Sequence, residues 1–303
     1  MKRLFSLVFA IFAAAMLLSG CESTTAGGAT GSSRSQFLLV SSAAVNEGAA
    51  KAYAREMGKA HSAKALNTDA TQTKRVNAIT RRLIAQVGIF RPDALEWEWE
   101  INVIEDKAIN AYCMPGGKMV IYTGIIEQLK LNDDELAAII GHEMAHALRE
   151  HSREQISQRF ATTQVVNIGS ILLGLGSAGQ NVASLASDLI LTLPFSRSME
   201  LEADVMGMEL MARAGFDPNG AVSVWQKMNA LSEGRSSSTT FLSTHPSDEA
   251  RVANLKSQLP NVMPLYEAAR VSGTPAPQVV EAAPAEATPG KSARAPSKRA
   301  RRR

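Results

Sequence analysis

The sequence predicts an α+β domain, mostly helical with one small sheet. Two patterns and one absence carry this. Apolar residues recur at helical spacing through long stretches, as in Val76, Ile79, Leu83, Ile84 and Val87. Residues 97–122 instead alternate polar with apolar, or form short apolar runs around Pro115-Gly116-Gly117, as strands and a tight turn do. No internal repeat is visible, so a few strands set within helices remain the simplest arrangement.

The elements follow in order. Residues 1–20 read as an address: Lys2 and Arg3 form a basic start, and an uncharged apolar run follows to Leu18. That run is short for a membrane span. Leu18-Ser19-Gly20-Cys21 resembles the lipobox of bacterial lipoproteins, which implies cleavage before Cys21 and a lipid on its sulfur, hence attachment to a membrane. Glu22 rather than Asp follows, which leans toward the outer membrane. Residues 21–36, rich in Ser, Thr, Gly and Ala, read as a flexible tether. The folded domain is expected over 37–270, with helices over about 41–65 and 69–87. Arg91-Pro92-Asp93 interrupts the helical pattern, and Trp97, Trp99, Ile101 and Val103 alternate with polar residues as a half-buried strand. Residues 109–114 and 118–122 read as two further strands. Asn132, with Glu135 three positions on, has the form of a capping box, so a helix starts there and is expected to run to about residue 152. Residues 165–195 are apolar but broken by polar residues and glycines, which suggests two buried or partly mobile helices. Helices are expected over 197–215 and 219–232. The Pro/Ala-rich stretch 271–303 reads as disordered.

The 303 residues are 45% hydrophobic, enough for one good-sized core or two small ones. The formal charge of +3 is unevenly spread: 291–303 carries +7, residues 2 and 3 carry +2, and 21–290 sums to −6. A mildly acidic body gives no nucleic-acid-binding surface. The basic tail fits either a solvated end or contact with acidic headgroups. With Cys21 acylated, Cys113 has no internal partner and reads as a small buried hydrophobe.

The strongest chemical signal is Gly141-His142-Glu143-Met144-Ala145-His146 within the capped helix. Residues four apart share a face, so both imidazoles can address one metal ion. Glu143 sits where it can take a proton from an attacking water without ligating the metal. A catalytic zinc site needs a third protein ligand. His151 turns away from the His142–His146 face along a continuous helix and reads as a solvated histidine. Downstream, Glu200 and Asp204 share a helical face, so one could bind the metal while the other orients a ligating imidazole. Glu202 points elsewhere and reads as a surface charge.

Four segments together resemble the M48 peptidases: Asn110-Ala111 with Pro115-Gly116-Gly117, then His142 to His146, then Glu200 to Asp204, then His245-Pro246 with Arg251. The resemblance implies a zincin-like metallopeptidase fold binding one Zn2+ per chain, with His142, His146 and Glu200 as ligands, Glu143 as general base and Asp204 as support. It implies that the strand at Asn110 and Ala111 pairs with extended substrate. His245 has three readings: a donor to the oxyanion, an inhibitory fourth zinc ligand, or a structural histidine. Arg251 is expected to hold the C-terminal segment through a carboxylate. The implied activity is an endopeptidase acting on unfolded or misassembled exported proteins in the periplasm. The alternatives are a chaperone-like outer-membrane assembly factor using the same groove, and a lipoprotein whose metal only stabilises the fold.

Overall fold

The computed structural model describes residues 21–172, 182–234, 240–246 and 248–272. The expected leader 1–20, the tail from 273 and residues 173–181 of the apolar stretch lie outside these.

Two short strands, β1 (Cys21–Glu22) and β2 (Gln36–Phe37), pair antiparallel. Helices α1 (Ser42–Ser62) and α2 (Ala70–Ile84) follow, each with its side-chain cap: Ser41 accepts from the Ala44 N–H, and Asp69 from the N–H groups of Thr71 and Gln72. Pro92–Glu96 is a turn of 3-10 helix, so the expected strand starts late, as β3 (Glu100–Ile104). Trp97 and Trp99, ahead of it, stack at 5.5 Å and pack on the core. Then come β4 (Ala111–Met114) and β5 (Lys118–Tyr122), joined by a turn in which Gly116 and Gly117 hold φ of 80° and 79°. Those angles are what the two glycines are there to provide. The sheet order is β3-β5-β4, with β3 parallel and β4 antiparallel to β5, leaving β4 at an edge.

After α3 (Thr123–Gln128) comes α4 (Asp133–Leu148), whose Asn132–Glu135 capping box forms as expected. Every residue of α4 from Glu135 to Leu148 is buried. The chain continues through α5 (His151–Leu172), α6 (Val182–Leu189), α7 (Arg197–Arg213), α8 (Asn219–Gly234), α9 (Thr240–Thr244) and α10 (Glu249–Val271); α7 and α8 pack on α4, and α10 packs on α7 and α8. Helix α10 was not expected, since Pro260 and Pro264 lie inside it. Helices α4 and α7 touch backbone to backbone where Gly141 meets Gly207; a Cβ on Gly207 would stand 2.6 Å from the His142 nitrogen.

Two expectations need correction. The helix from 133 does not reach 152: it stops at Arg149, and Glu150 takes a left-handed φ of 50° before α5 begins. Contacts to the buried Glu150 carboxylate hold that break: Arg91 and Arg153 pair with it at 3.1 and 2.6 Å, and the Ser42 hydroxyl donates to it at 2.8 Å. These contacts offset the roughly 1–2 kcal/mol that a left-handed conformation costs a side-chain-bearing residue. The second concerns 21–36, which is not a free tether. The Ala29 and Thr30 N–H groups each donate to the buried Glu209 carboxylate at 2.9 Å. Arg34 pairs with Glu154 and Glu202 at 2.8 Å, and buried Gln36 donates to the Arg149 carbonyl.

Candidate metal centre

Helix α4 presents His142 and His146 one turn apart, and their Nε2 atoms lie 3.1 Å from each other. Helix α7 crosses at the Gly141–Gly207 contact and brings up Glu200, 3.4 Å from His142 Nε2 and 3.3 Å from His146 Nε2. After α9 the chain delivers His245, whose Nδ1 lies 3.1 Å from Glu200 Oε1 and 3.4 Å from His142 Nε2. All four side chains are buried. Donors bound at about 2.0–2.1 Å to a tetrahedral zinc ion stand roughly 3.3 Å apart. The separations here match that edge, and three imidazoles with one carboxylate form a zinc donor set. The residues therefore fit one Zn2+ per chain.

Around the donors, Asp204 Oδ1 lies 3.0 Å from His142 Nδ1. Arg251, from α10, grips Asp204 through Nε at 2.7 Å and Nη2 at 2.6 Å, reaches Glu200 at 2.6 Å and stacks over Trp225. Burial raises the Glu200 carboxyl, but the charges of His245 and Arg251 more than offset it and hold the group well below its ordinary range. Burial likewise lowers His142, and the Asp204 and Glu200 carboxylates outweigh it to leave the imidazole raised.

Glu143 behaves differently. Burial pushes its carboxyl up to about 7. Its Oε1 has no hydrogen-bond partner and stands 3.5 Å from His245 Nε2. It faces a cleft whose wall includes Asn110, Ala111 and the rest of edge strand β4, with Leu191, Phe195, His146 and His245. Asn110 stands one residue before β4, its carbonyl accepting from the Tyr122 N–H at 3.1 Å.

Two residues lie where the sequence did not lead. His151 is fully buried rather than solvated, because the break at Glu150 swings it back beneath His146, with the two Nδ1 atoms 2.9 Å apart. Glu202 leaves the metal face as expected, yet it is no plain surface charge: it pairs with Arg34, Arg149 and His151. No local signal marks either placement, since each depends on partners far along the chain. Cys113 is buried, and burial raises its thiol well above the usual range.

A histidine pair on one buried helix, a carboxylate from a crossing helix and a lone glutamate facing an edge-strand cleft define the class of zinc metallopeptidases. Residues 70–259 match Peptidase family M48, and the chain belongs to that family. It is 37% identical over 185 residues to mitochondrial metalloendopeptidase OMA1 of Schizosaccharomyces pombe, covering 61% of this chain and 52% of that protein. It is 33% identical over 176 residues to the Saccharomyces cerevisiae protein of the same name, covering 56% and 50%. It is 26% identical over 207 residues to the beta-barrel assembly-enhancing protease of Escherichia coli K12, covering 66% and 41%. The chain thus spans about half the length, or less, of these relatives.

Proposed function

We propose that the chain is a zinc-dependent endopeptidase of the bacterial cell envelope, anchored through a lipid on Cys21 at the outer membrane and cleaving misfolded or misassembled exported proteins. The observation that carries the activity is the buried Glu143 carboxylate, whose Oε1 has no hydrogen-bond partner, beside the four-donor cluster and lining the edge-strand cleft. A metal site that only stabilised the fold would need no such group. The leader that ends just before Cys21 supports the location, and the named bacterial relative is in keeping with it.

His142, His146 and Glu200 would hold zinc, which supplies a Lewis acid that polarises the scissile carbonyl and makes water more acidic. Glu143 takes the proton of the attacking water and delivers it to the leaving amine. Asp204, fixed by Arg251, orients the His142 ring. Extended substrate lies along Asn110 and β4, held by main-chain pairing that suits any unfolded segment. His245 would stand as a fourth donor beside these three, and with its ring turned aside a nitrogen would be free to donate to the oxyanion.

An unfolded outer-membrane β-barrel polypeptide, offered to wild type and to Glu143→Gln, tests the reading. Wild type cleaves it and the variant does not. If wild type fails to cleave while both proteins suppress its aggregation equally, the groove serves assembly, and the peptidase reading falls.

A further inference from the structure

The two ring nitrogens of His146 face different environments. Nε2 lies among the metal donors, 3.3 Å from Glu200 Oε1. Nδ1 lies 2.9 Å from Nδ1 of His151. His151 Nε2 in turn lies 3.0 Å from Glu202 Oε2. The row ends on fixed cations, since Glu202 also accepts from Arg34 Nε at 2.8 Å and Arg149 Nη2 at 3.2 Å. His151 has no exposed surface, and Phe195 stacks on the His146 ring with centroids 3.9 Å apart.

Protons along this row can be assigned from its far end. An ionised carboxylate only accepts, so His151 carries its proton on Nε2. A neutral His151 then has a bare Nδ1, which accepts from the His146 Nδ1–H. That leaves the lone pair of His146 Nε2 directed at the donor cluster. Each close contact holds one proton, and both rings are neutral. With the polarity reversed, a proton would sit on His146 Nε2, where a metal ligand must have none.

We propose that His151, backed by Glu202, is a positioning residue that fixes the tautomer and ring orientation of His146 for metal binding. A ligating imidazole usually meets a carboxylate or carbonyl directly on its other nitrogen, as His142 meets Asp204. At His146 a second imidazole stands between. Because Arg34 belongs to the 21–37 segment, the row also ties a metal ligand to the part of the chain next to Cys21. The inference rests on the reading that His146 binds zinc.

The test uses the full mature chain, with zinc affinity measured by competition with a chromophoric chelator and the absorption spectrum of the cobalt(II)-substituted protein. His151→Phe, which keeps the ring's bulk and removes its nitrogens, loses about 10- to 100-fold in zinc affinity and shifts the cobalt spectrum. His151→Asn, whose Oδ1 stands where Nδ1 stood, restores most of the affinity. Nitrogen-15 histidine spectra of the zinc-loaded wild type need no variant to fold, and they show His146 protonated at Nδ1 and His151 at Nε2. A His151→Phe protein with wild-type affinity and spectrum, or a wild type with His151 protonated at Nδ1, overturns the inference alone. A wild type that binds no zinc removes the reading beneath it.

Discussion

Arg251 holds Asp204 through Nε and Nη2 of its guanidinium, at 2.7 and 2.6 Å, with neither side chain more than 3% exposed. Glu200 stands at 2.6 Å from the same guanidinium. One buried cation thus balances two buried carboxylates, one beside His142 and one among the donors. Removing one partner of such a pair leaves uncompensated buried charge and costs about 3–5 kcal/mol. Arg251→Ala is therefore expected to lower the melting temperature by on the order of 10 °C and to reduce bound zinc. A melting temperature within a degree or two of wild type would show that the ion pair contributes little.

The closest crossing of α4 and α7 has no room for a methyl group. A Cβ on Gly207 would meet the His142 nitrogen at 2.6 Å, whereas one on Gly58 would meet nothing within 4 Å. Gly207→Ala should cost about 1–3 kcal/mol or more by overpacking, with weaker zinc binding as Glu200 is pushed from His142. Gly58→Ala, in an exposed turn of α1, should gain about 0.5–1 kcal/mol. Urea unfolding of both variants checks the contrast. Equal effects would contradict the close approach.

Glu202 gives stability a dependence on acid. Burial pushes its carboxyl up, but hydrogen bonds from His151 and Arg34 and the charge of Arg149 outweigh burial and hold it at about 2. Its folded value lies below the ordinary 4.5, so its contribution is present in full above pH 4.5 and is lost as pH falls toward 2. Glu135, Glu150 and Glu154 are lowered in the same sense. In the zinc-free protein, Glu202→Gln should lower the melting temperature at pH 7 and flatten its decline between pH 4.5 and 2. Parallel curves for the two proteins would rule out a contribution from Glu202.

The 21–37 segment is expected to be part of the fold. Deleting it strips Glu209 of the Ala29 and Thr30 N–H groups and Glu202 of Arg34. The truncated chain should unfold at clearly lower urea than the full mature chain. An unchanged midpoint would mean that the segment acts only as a spacer.

These residues also show what the sequence could reveal. The helix bearing His142 and His146 was legible because its capping box, apolar face and four-residue spacing are local. The grouping of Glu200 with Asp204 followed from the same spacing on α7. The position of His151 was not legible, because it turns on the left-handed Glu150, held by Arg91, more than fifty residues before it. The Ser/Gly-rich composition of 21–36 suggested mobility, while the groups that fix it, Glu209 and Glu202, lie far along the chain. Helix α10 was hidden by Pro260 and Pro264.

In the proposed reaction one zinc ion, held by His142, His146 and Glu200, works with Glu143 to hydrolyse peptide bonds. Zinc content and casein cleavage are to be measured together for the mature chain, Glu143→Gln and Glu200→Gln. Wild type is expected to hold one zinc and to cleave, Glu143→Gln to hold zinc without cleaving, and Glu200→Gln to lose both. A wild type without zinc, or a Glu143→Gln protein that still cleaves, would contradict the proposed reaction.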